Sequence, residues 1–302
     1  MNKVAIVTVN FNTEKDTLAL LSSIKKIKKN SFILEVIIVD NGSKNKLVFP
    51  QDFKGKIILI RSEKNLGFSG GFNIGIKKAL RQDVDYVLIV NNDTLIFAEM
   101  IENLLKVLKE NPKIGIVTPK IYFAKGHEFH KARYKEQELG KVFWYAGGYM
   151  DWANIASVHR GVDEVDKGQY DSIEKTEFAS GCCMLIKKEV FEKVGMFNEK
   201  YFLYYEDADF TRRVEKAGFD IYYVPSAILV HVNAASTGGS GSVLQDYYIT
   251  RNRLLFGMRY APLRSKIALI KESIRLLRSG RDWQKKGIID FYIGRFGKGS
   301  YK

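Results

Sequence analysis

Residues Tyr86–Thr94, YVLIVNNDT, decide the fold. Val87, Leu88, Ile89 and Val90 form a short continuous apolar run, the pattern of a strand buried on both faces of a parallel sheet. The run stops at Asn91-Asn92-Asp93-Thr94, four small polar residues. Open α/β sheets bind ligands just beyond the carboxyl ends of their strands. Asp93 is thus a carboxylate at the mouth of a sheet. With amides beside it, it can seat a hard cation such as Mg2+ or Mn2+, which prefers oxygen ligands. The same residues also suit an Asn/Asp-rich turn that caps a helix at about Phe97–Glu110.

The flanking chain repeats the pattern. Val4–Val9 (VAIVTV) predicts a first buried strand ending at Asn10-Phe11-Asn12. Thr13 suits a helix cap, and Leu18, Leu21, Ile24 and Ile27 recur at near-helical spacing within Asp16–Lys29. Leu34–Val39 (LEVIIV) predicts a second strand, ending at Asp40-Asn41-Gly42-Ser43, another acid at a strand's carboxyl edge. Lys56–Ile60 predicts a third strand and Tyr86–Val90 the fourth. Strands alternating with helices predict a mostly parallel sheet with helices on both faces. Asn65–Gly75, NLGFSGGFNIG, leads into a helix through Leu80. Its glycines do not make G-x-G-x-x-G, and no Gly-Lys-Ser/Thr follows, which excludes the dinucleotide fingerprint and the P-loop. Gly70 and Gly71 suit close backbone approach to a ligand at a helix N-terminus, or equally a tight turn with close helix packing.

Composition narrows the class. The 302 residues allow one large domain or two small ones, and 46% hydrophobic and 27% charged residues are ordinary for a globular protein. The net charge of +14 is not, and it points to a polyanionic partner. Residues 251–302 hold 14 Lys and Arg against Glu272, Asp282 and Asp290, a surplus of +11. The two adjacent cysteines, Cys182 and Cys183, cannot build a disulfide framework and read as buried thiols in a reducing compartment. The apolar run after Lys3 is too short for a signal peptide, and no stretch approaches a transmembrane length. The expected location is cytoplasmic, with peripheral attachment to the cytoplasmic face of a membrane as the variant of it.

The middle, Pro119–Tyr170, is less regular. Val142–Tyr149 and Ile155–Arg160 read as antiparallel strands or loops around Gly147-Gly148. Trp144, Tyr145, Tyr149 and Trp152 suit core, or the lining of a sugar or lipid cleft. Beyond it, Phe178–Gly181 leads into the apolar run Cys182–Ile186 and a helix from about Lys188 to Val194. A helical pattern runs from Glu206 to Ala217, with Gly218 as its stop. Glu206, Asp207 and Asp209 fall in its first turn, where the helix dipole favours acids. The aromatics at 201–205 also suit partial desolvation of one carboxylate, whose raised pKa fits a proton acceptor. Phe219–Val224 and Ala227–Val230 predict further strands, the second ending at His231, one of four histidines. Helices are predicted at Ser242–Arg259 and Leu263–Leu277, broken at Pro262. Leu269, Ile270, Ile274 and Leu277 form an apolar face of the second, with Lys266, Lys271, Arg275 and Arg278 around it. That face suits either an anionic membrane or packing on the catalytic domain.

Together these residues resemble family 2 glycosyltransferases of the GT-A fold, most closely a bacterial rhamnosyltransferase-like branch. The ordered set runs VTVNFN (Val7–Asn12), VIIVDNGS (Val36–Ser43), NLGFSGGFNIG (Asn65–Gly75) and VNNDT (Val90–Thr94). It continues with ASGCCMLIKKEVFEKVGMFNE (Ala179–Glu199), YYEDADFTRR (Tyr204–Arg213) and VPSAILVHV (Val224–Val232). Arg251-Asn252-Arg253 also fits the branch. The resemblance implies that Asp40 holds the base of a nucleotide-sugar, with Asn65 and the Gly70-Gly71 backbone around the nucleotide. Asn10, Asn73, Asn92 and Asp93 complete the donor-binding set. Asp93 would contact a divalent cation, Mg2+ or Mn2+, with His231 completing its shell. Asn91 and Asn92 stand where many relatives have acids, which weakens the implied metal affinity. Asp207 matches the catalytic base, with Glu206 as its catalytic neighbour, and Ser180, Gly181 and Glu206 face the acceptor.

The implied reaction moves a sugar from dTDP-rhamnose or a UDP-sugar to a glycan or polyprenyl-diphosphate-linked acceptor in cell-surface polysaccharide synthesis. One displacement with one base predicts inversion. No Q-x-x-R-W motif is present, so transfer of one or few sugars is expected rather than processive extrusion. The expected organisation is a catalytic domain over residues 1–241 and a basic helical extension over 242–302 packed on it. Two other classes compete: a nucleotidyltransferase on a similar sheet, and a basic nucleic-acid-binding protein, for which no motif is present, so nucleic acid is not an expected partner.

Overall fold

β-Branched and aliphatic residues at strand period build the centre of the molecule. β1 (Asn2–Asn10) buries Val4, Ala5, Ile6 and Val7 completely, alternating between two faces. The computed structural model describes residues 1–50, 57–232 and 242–301. β1 pairs in parallel with β2 (Phe32–Asn41) and β4 (Tyr86–Val90), and β2 pairs in parallel with β3 (Ile58–Ser62). Lys56, expected in the third strand, lies outside the described residues. Beyond β4 the sheet turns mixed. β11 (Cys183–Lys187) runs antiparallel to both β4 and β6 (Ile114–Phe123), and β12 (Asp220–His231) is parallel to β6. β10 (Glu174–Lys175) forms the far edge.

The two faces are covered as the alternation demands. Val4 and Ile6 pack with α1 (Glu14–Ile24) and α3 (Met100–Glu110). Ala5 and Val7 pack with α2 (Gly67–Leu80), α4 (Lys188–Val194) and α5 (Glu206–Lys216). Each fully buried Val or Ile among them contributes about 1.5–3 kcal/mol. Gly75 lets α2 lie directly on β1, since a Cβ there would sit 2.3 Å from Val7 Cγ1. The α/β, mostly parallel arrangement expected from the sequence is therefore present, with its antiparallel insertion at β11.

Several elements differ from expectation. β12 is one strand, not two; its pairing with β6 shifts between Val224 and Ile228, where Pro225 supplies no N–H to the ladder. The predicted helix at Phe97 begins at Met100, because Thr94–Ile96 forms a short strand, β5, antiparallel to β12. β7 (Phe143–Tyr145) adds to β6, and β8 (Gly148–Asp151) pairs with β9 (Ala156–His159). Of the four aromatics there, Tyr145 is core, Tyr149 is exposed, and Trp152 stacks on Phe256 at 5.9 Å between centroids.

The chain closes with α6 (Val243–Tyr260), α7 (Leu263–Ser279) and an unanticipated α8 (Asp282–Tyr292). Leu254, Phe256, Ala261, Leu269 and Ile288 from these helices are buried in the same core as the sheet. The expected boundary at 241/242 borders residues outside the description. Among the described residues, no helix is long and apolar enough to cross a membrane.

Candidate active site

Four strands deliver polar residues to one edge of the sheet. At the ends of β1, β2 and β3, Asp40 is buried and its carboxylate accepts from Asn10 Nδ2 at 3.3 Å and from the Arg61 guanidinium. Burial pushes the Asp40 pKa up, but bonds from Ser43 and Asn10 and the charge of Arg61 outweigh it and hold the carboxyl below its usual range. Asn10 Oδ1 accepts from Thr17 Oγ1 at 3.0 Å, and Asn92 Nδ2 donates to the same hydroxyl at 2.9 Å. Asp40 at the end of β2 and Asn92 in the turn after β4 thus belong to one network. Arg61 escaped the sequence reading; its register position opposite Asp40 on β3 is visible only once the strands pair.

Asn65 Oδ1 accepts from Asn41 Nδ2 at 3.2 Å and from Gly67 N at 2.8 Å, shaping the entry to α2. Gly67 has φ +72° and lies where a Cβ would fall 2.3 Å from the Phe202 carbonyl oxygen. Gly70 and Gly71 are buried inside α2 against Leu66, Asn41 and Val9. Asn73 is buried too, its amide donating to the Phe197 carbonyl at 3.0 Å and to Glu199 at 2.9 Å.

A second group surrounds a cavity of 460 Å³ lined by Asp93, His231, Ser180, Gly181, Glu206 and Asp207, with Trp144 and His159 on its wall. β5 explains the meeting of Asp93 and His231: it pairs Thr94 with His231 and leaves the Asp93 carbonyl accepting from Val232 N at 2.8 Å. Asp93 Oδ1 lies 3.2 Å from His231 Nε2, yet the approach is not aligned as a hydrogen bond. Asp93 Oδ1 and His231 Nδ1 are both buried without a hydrogen-bond partner among the described residues. Such orphaned polar atoms are rare in folded proteins unless a ligand or ion completes them. A carboxylate oxygen and an imidazole side by side fit a cation such as Mg2+ or Mn2+. No group of three or more His, Cys, Asp or Glu that could hold a metal occurs among the described residues. The ring of Trp144 packs edge-on against His231 at 4.7 Å and His159 at 4.4 Å. Burial lowers the His159 pKa to about 4, so that ring is neutral at neutral pH.

The three acids of α5 separate by direction. Asp209 is fully buried and accepts from Arg213 Nε and the Tyr260 hydroxyl, each at 2.8 Å, which makes it a structural anchor. Glu206 and Asp207 face the cavity. Asp207 Oδ2 accepts from Gly181 N at 3.0 Å and Oδ1 from Ala208 N at 2.8 Å. Burial nevertheless raises the Asp207 pKa against those bonds. Burial, and then the adjacent Asp207 charge, raise Glu206 well above the usual range, and its Oε2 has no partner among the described residues. Burial thus pushes both carboxyls upward, Glu206 further than Asp207 because of its neighbour's charge. Cys182 and Cys183 are free, buried thiols held neutral by burial.

The approach to α5 is held from the C-terminal helices. Phe202, Tyr204 and Tyr205 all have left-handed backbone, φ +65°, +68° and +70°, at a cost of order 1–3 kcal/mol each for non-glycine residues. Asn252, fully buried on α6, donates to the carbonyls of Tyr201, Leu203 and Tyr204 at 2.8, 2.8 and 2.9 Å. Its neighbour Arg251 donates to the Tyr201 carbonyl at 2.9 Å. The Phe202 carbonyl in turn accepts from Phe68 N at 2.7 Å, tying the loop to α2. Asn252→Ala is expected to lower the unfolding free energy by about 2–3 kcal/mol, at roughly 1 kcal/mol per lost bond, and to lower kcat more than it raises donor KM. A denaturant midpoint unchanged from wild type would contradict this.

Comparison with known proteins agrees with this geometry. The family model described as Glycosyl transferase family 2 matches residues 5–195, which span β1 to the end of α4. A model described as N-terminal domain of galactosyltransferase matches residues 164–234, which include Glu206, Asp207 and His231. The low-salt glycan biosynthesis hexosyltransferase Agl10 of Haloferax volcanii is 27% identical over 84% of this chain and 75% of its own length. An N-acetylglucosaminyl-diphospho-decaprenol L-rhamnosyltransferase of Mycobacterium tuberculosis is 28% identical, over 68% of each chain. The dTDP-rhamnosyl transferase RfbF of Shigella flexneri is 26% identical over 85% of this chain and 81% of its own. Among solved structures, GalNAc-T7 with UDP, GalNAc and Mn2+ superposes with a TM-score of 0.66 at 15% identity, over 97% of this chain. This chain spans 55% of that one, and the likeness is one of fold. With the strand-end acids, the mixed, mostly parallel sheet and the matched residues in agreement, the chain belongs to glycosyl transferase family 2, on a GT-A-type fold.

Proposed function

We propose that the protein transfers a single sugar, with inversion, from a nucleoside-diphosphate donor to a saccharide acceptor. The donor is dTDP-rhamnose or a UDP-sugar, and the acceptor a glycan or a polyprenyl-diphosphate-linked saccharide at the cytoplasmic face of an anionic membrane. One observation carries the reading: the carboxylate of Asp207 lines the same cavity as the Asp93–His231 pair. Asp40, Asn10 and Asn65 would hold the nucleotide at the adjoining edge. Asp93 and His231 would hold a divalent cation, which neutralises the departing diphosphate. A Mg2+-type ion commonly takes one or two protein ligands and completes its shell with substrate phosphates and water, which matches a two-residue site. Asp207 would take the proton of the acceptor hydroxyl, with Glu206, Ser180 and Gly181 around the acceptor. The relatives that act on rhamnosyl and decaprenol-linked substrates support this donor and acceptor class.

The test is a donor screen with dTDP-rhamnose and UDP-sugars against a lipid-diphosphate disaccharide analogue. Anomeric inversion, seen by NMR of the product, is expected with release of the nucleoside diphosphate. Consumption of a nucleoside triphosphate and a sugar phosphate, with pyrophosphate release, would overturn the reading.

A further inference from the structure

The structure turns the apolar face of α7 differently from the sequence expectation. Leu269 is only 4% exposed and faces the protein. Leu263, Ile267, Ile270, Ile274 and Leu277 point outward, with Leu263 73% exposed and Ile267 and Ile274 each 47%. Their spacing is one helical stripe, which at 1.5 Å per residue runs about 21 Å. Arg264, Lys271, Arg275 and Arg278 each follow a stripe residue by one position, so they form a second, parallel stripe along its flank. All four are exposed, and none is in an ion pair with a described residue. The Tyr292 hydroxyl meets Ser273 Oγ at 2.8 Å, which sets the exposed Ile289 and Tyr292 of α8, with Ile293 just after it, beside the same surface.

We infer that this α7–α8 surface docks the enzyme on an anionic lipid bilayer, the apolar stripe entering the headgroup boundary and the basic stripe meeting lipid phosphates. Exposed aliphatics in a row with unpaired cations beside them match an interfacial helix. Charge decides between occupants. A second copy of the chain would bring two basic stripes of the same sign together, whereas an anionic lipid surface complements them. The surface also adjoins the chemistry: Ile249 on α6 lines both the catalytic cavity and a groove of 320 Å³ walled by the inner residues Leu269 and Leu276 of α7. α7 thus turns its exposed stripe outward and its inner side toward the groove that shares Ile249 with the cavity. The inference rests on the lipid-linked acceptor reading for its purpose only. Binding is measured without donor or acceptor, so the failure of either is seen separately.

Co-sedimentation uses the full chain with vesicles of phosphatidylglycerol and phosphatidylcholine, and with phosphatidylcholine alone. Wild type is expected to pellet with the mixed vesicles at low salt, to be released at high salt, and to stay in solution with phosphatidylcholine. Replacing Arg264, Lys271, Arg275 and Arg278 with Gln is expected to weaken partitioning by at least about 10²-fold, since each charge near such a surface contributes roughly fivefold. Ile270→Glu with Ile274→Glu is expected to weaken it as well. All these positions are exposed, so both variants should melt as wild type does. The inference is overturned if wild type stays in the supernatant with anionic vesicles at low salt, or if neither variant loses binding. A concentration-dependent dimer dissolved by the Ile variant would assign the stripe to a second copy and overturn it equally.

Discussion

Asp207→Asn is expected to lower kcat by roughly 10²–10⁴-fold, the usual worth of a positioned general base, with nucleotide-sugar affinity near wild type. The amide keeps the size of the side chain and can still accept from Gly181 N, so the loop and cavity are preserved while the proton acceptor is lost. Donor affinity rests on other residues under the proposed function, namely Asp40, Asn10 and Asp93. The pH profile gives an independent readout. Burial raises the Asp207 pKa above that of an ordinary aspartate. A base acts only when ionised, so activity should be lost as pH falls through that raised value. The acid limb of the wild-type kcat profile therefore lies higher in pH than an unshifted carboxylate would give, and the residual activity of the Asn variant should lack that limb. Turnover like wild type in Asp207→Asn would remove this residue from the mechanism.

Chelation should have the second large effect. Neutralising a departing diphosphate contributes several kcal/mol in such sites, which corresponds to about 10³-fold in rate. Activity is expected to fall to that extent in EDTA and to return with Mn2+ or Mg2+. Asp93→Ala should require much more metal for the same rate, and His231→Ala should do so to a lesser degree. Binding of Mn2+ in the presence of a nucleoside diphosphate, followed by electron paramagnetic resonance, reads the site without turnover. The free Mn2+ signal should persist in Asp93→Ala at concentrations where wild type quenches it. Full activity in EDTA with unchanged kinetics in Asp93→Ala would show that the Asp93–His231 pair holds no catalytic cation.

The sheet was legible because burial writes itself into local pattern. Runs such as Val4–Val9 and Val87–Val90 have to be strands covered on both sides, and each ends at the polar residues that the structure places at the carboxyl edge. The ordered motifs likewise named the family and the segment holding Asp207. Where the pattern misled, a long-range partner was the reason. Pro225 looks like a break between strands, but β6 pairs with both sides of it and absorbs the irregularity as a bulge. Leu269 and Ile270 look alike in sequence, yet only Leu269 finds a core to enter.

The sequence by itself determined the α/β class, the family, and which acids stand at strand and helix ends, because periodicity, chain punctuation and motif order are local properties of the chain. Only the tertiary structure decided what surrounds those acids. Asp209 became an anchor because Arg213 and Tyr260 reach it, while Glu206 and Asp207 were left facing a cavity where desolvation raises both. Asp93 met His231 through the unforeseen β5, Arg61 met Asp40 through strand register, and Asn252 came to hold the left-handed turn before α5 from a distant helix. Burial, charge and hydrogen bonding depend on neighbours brought together by folding, and no spacing along the chain specifies them.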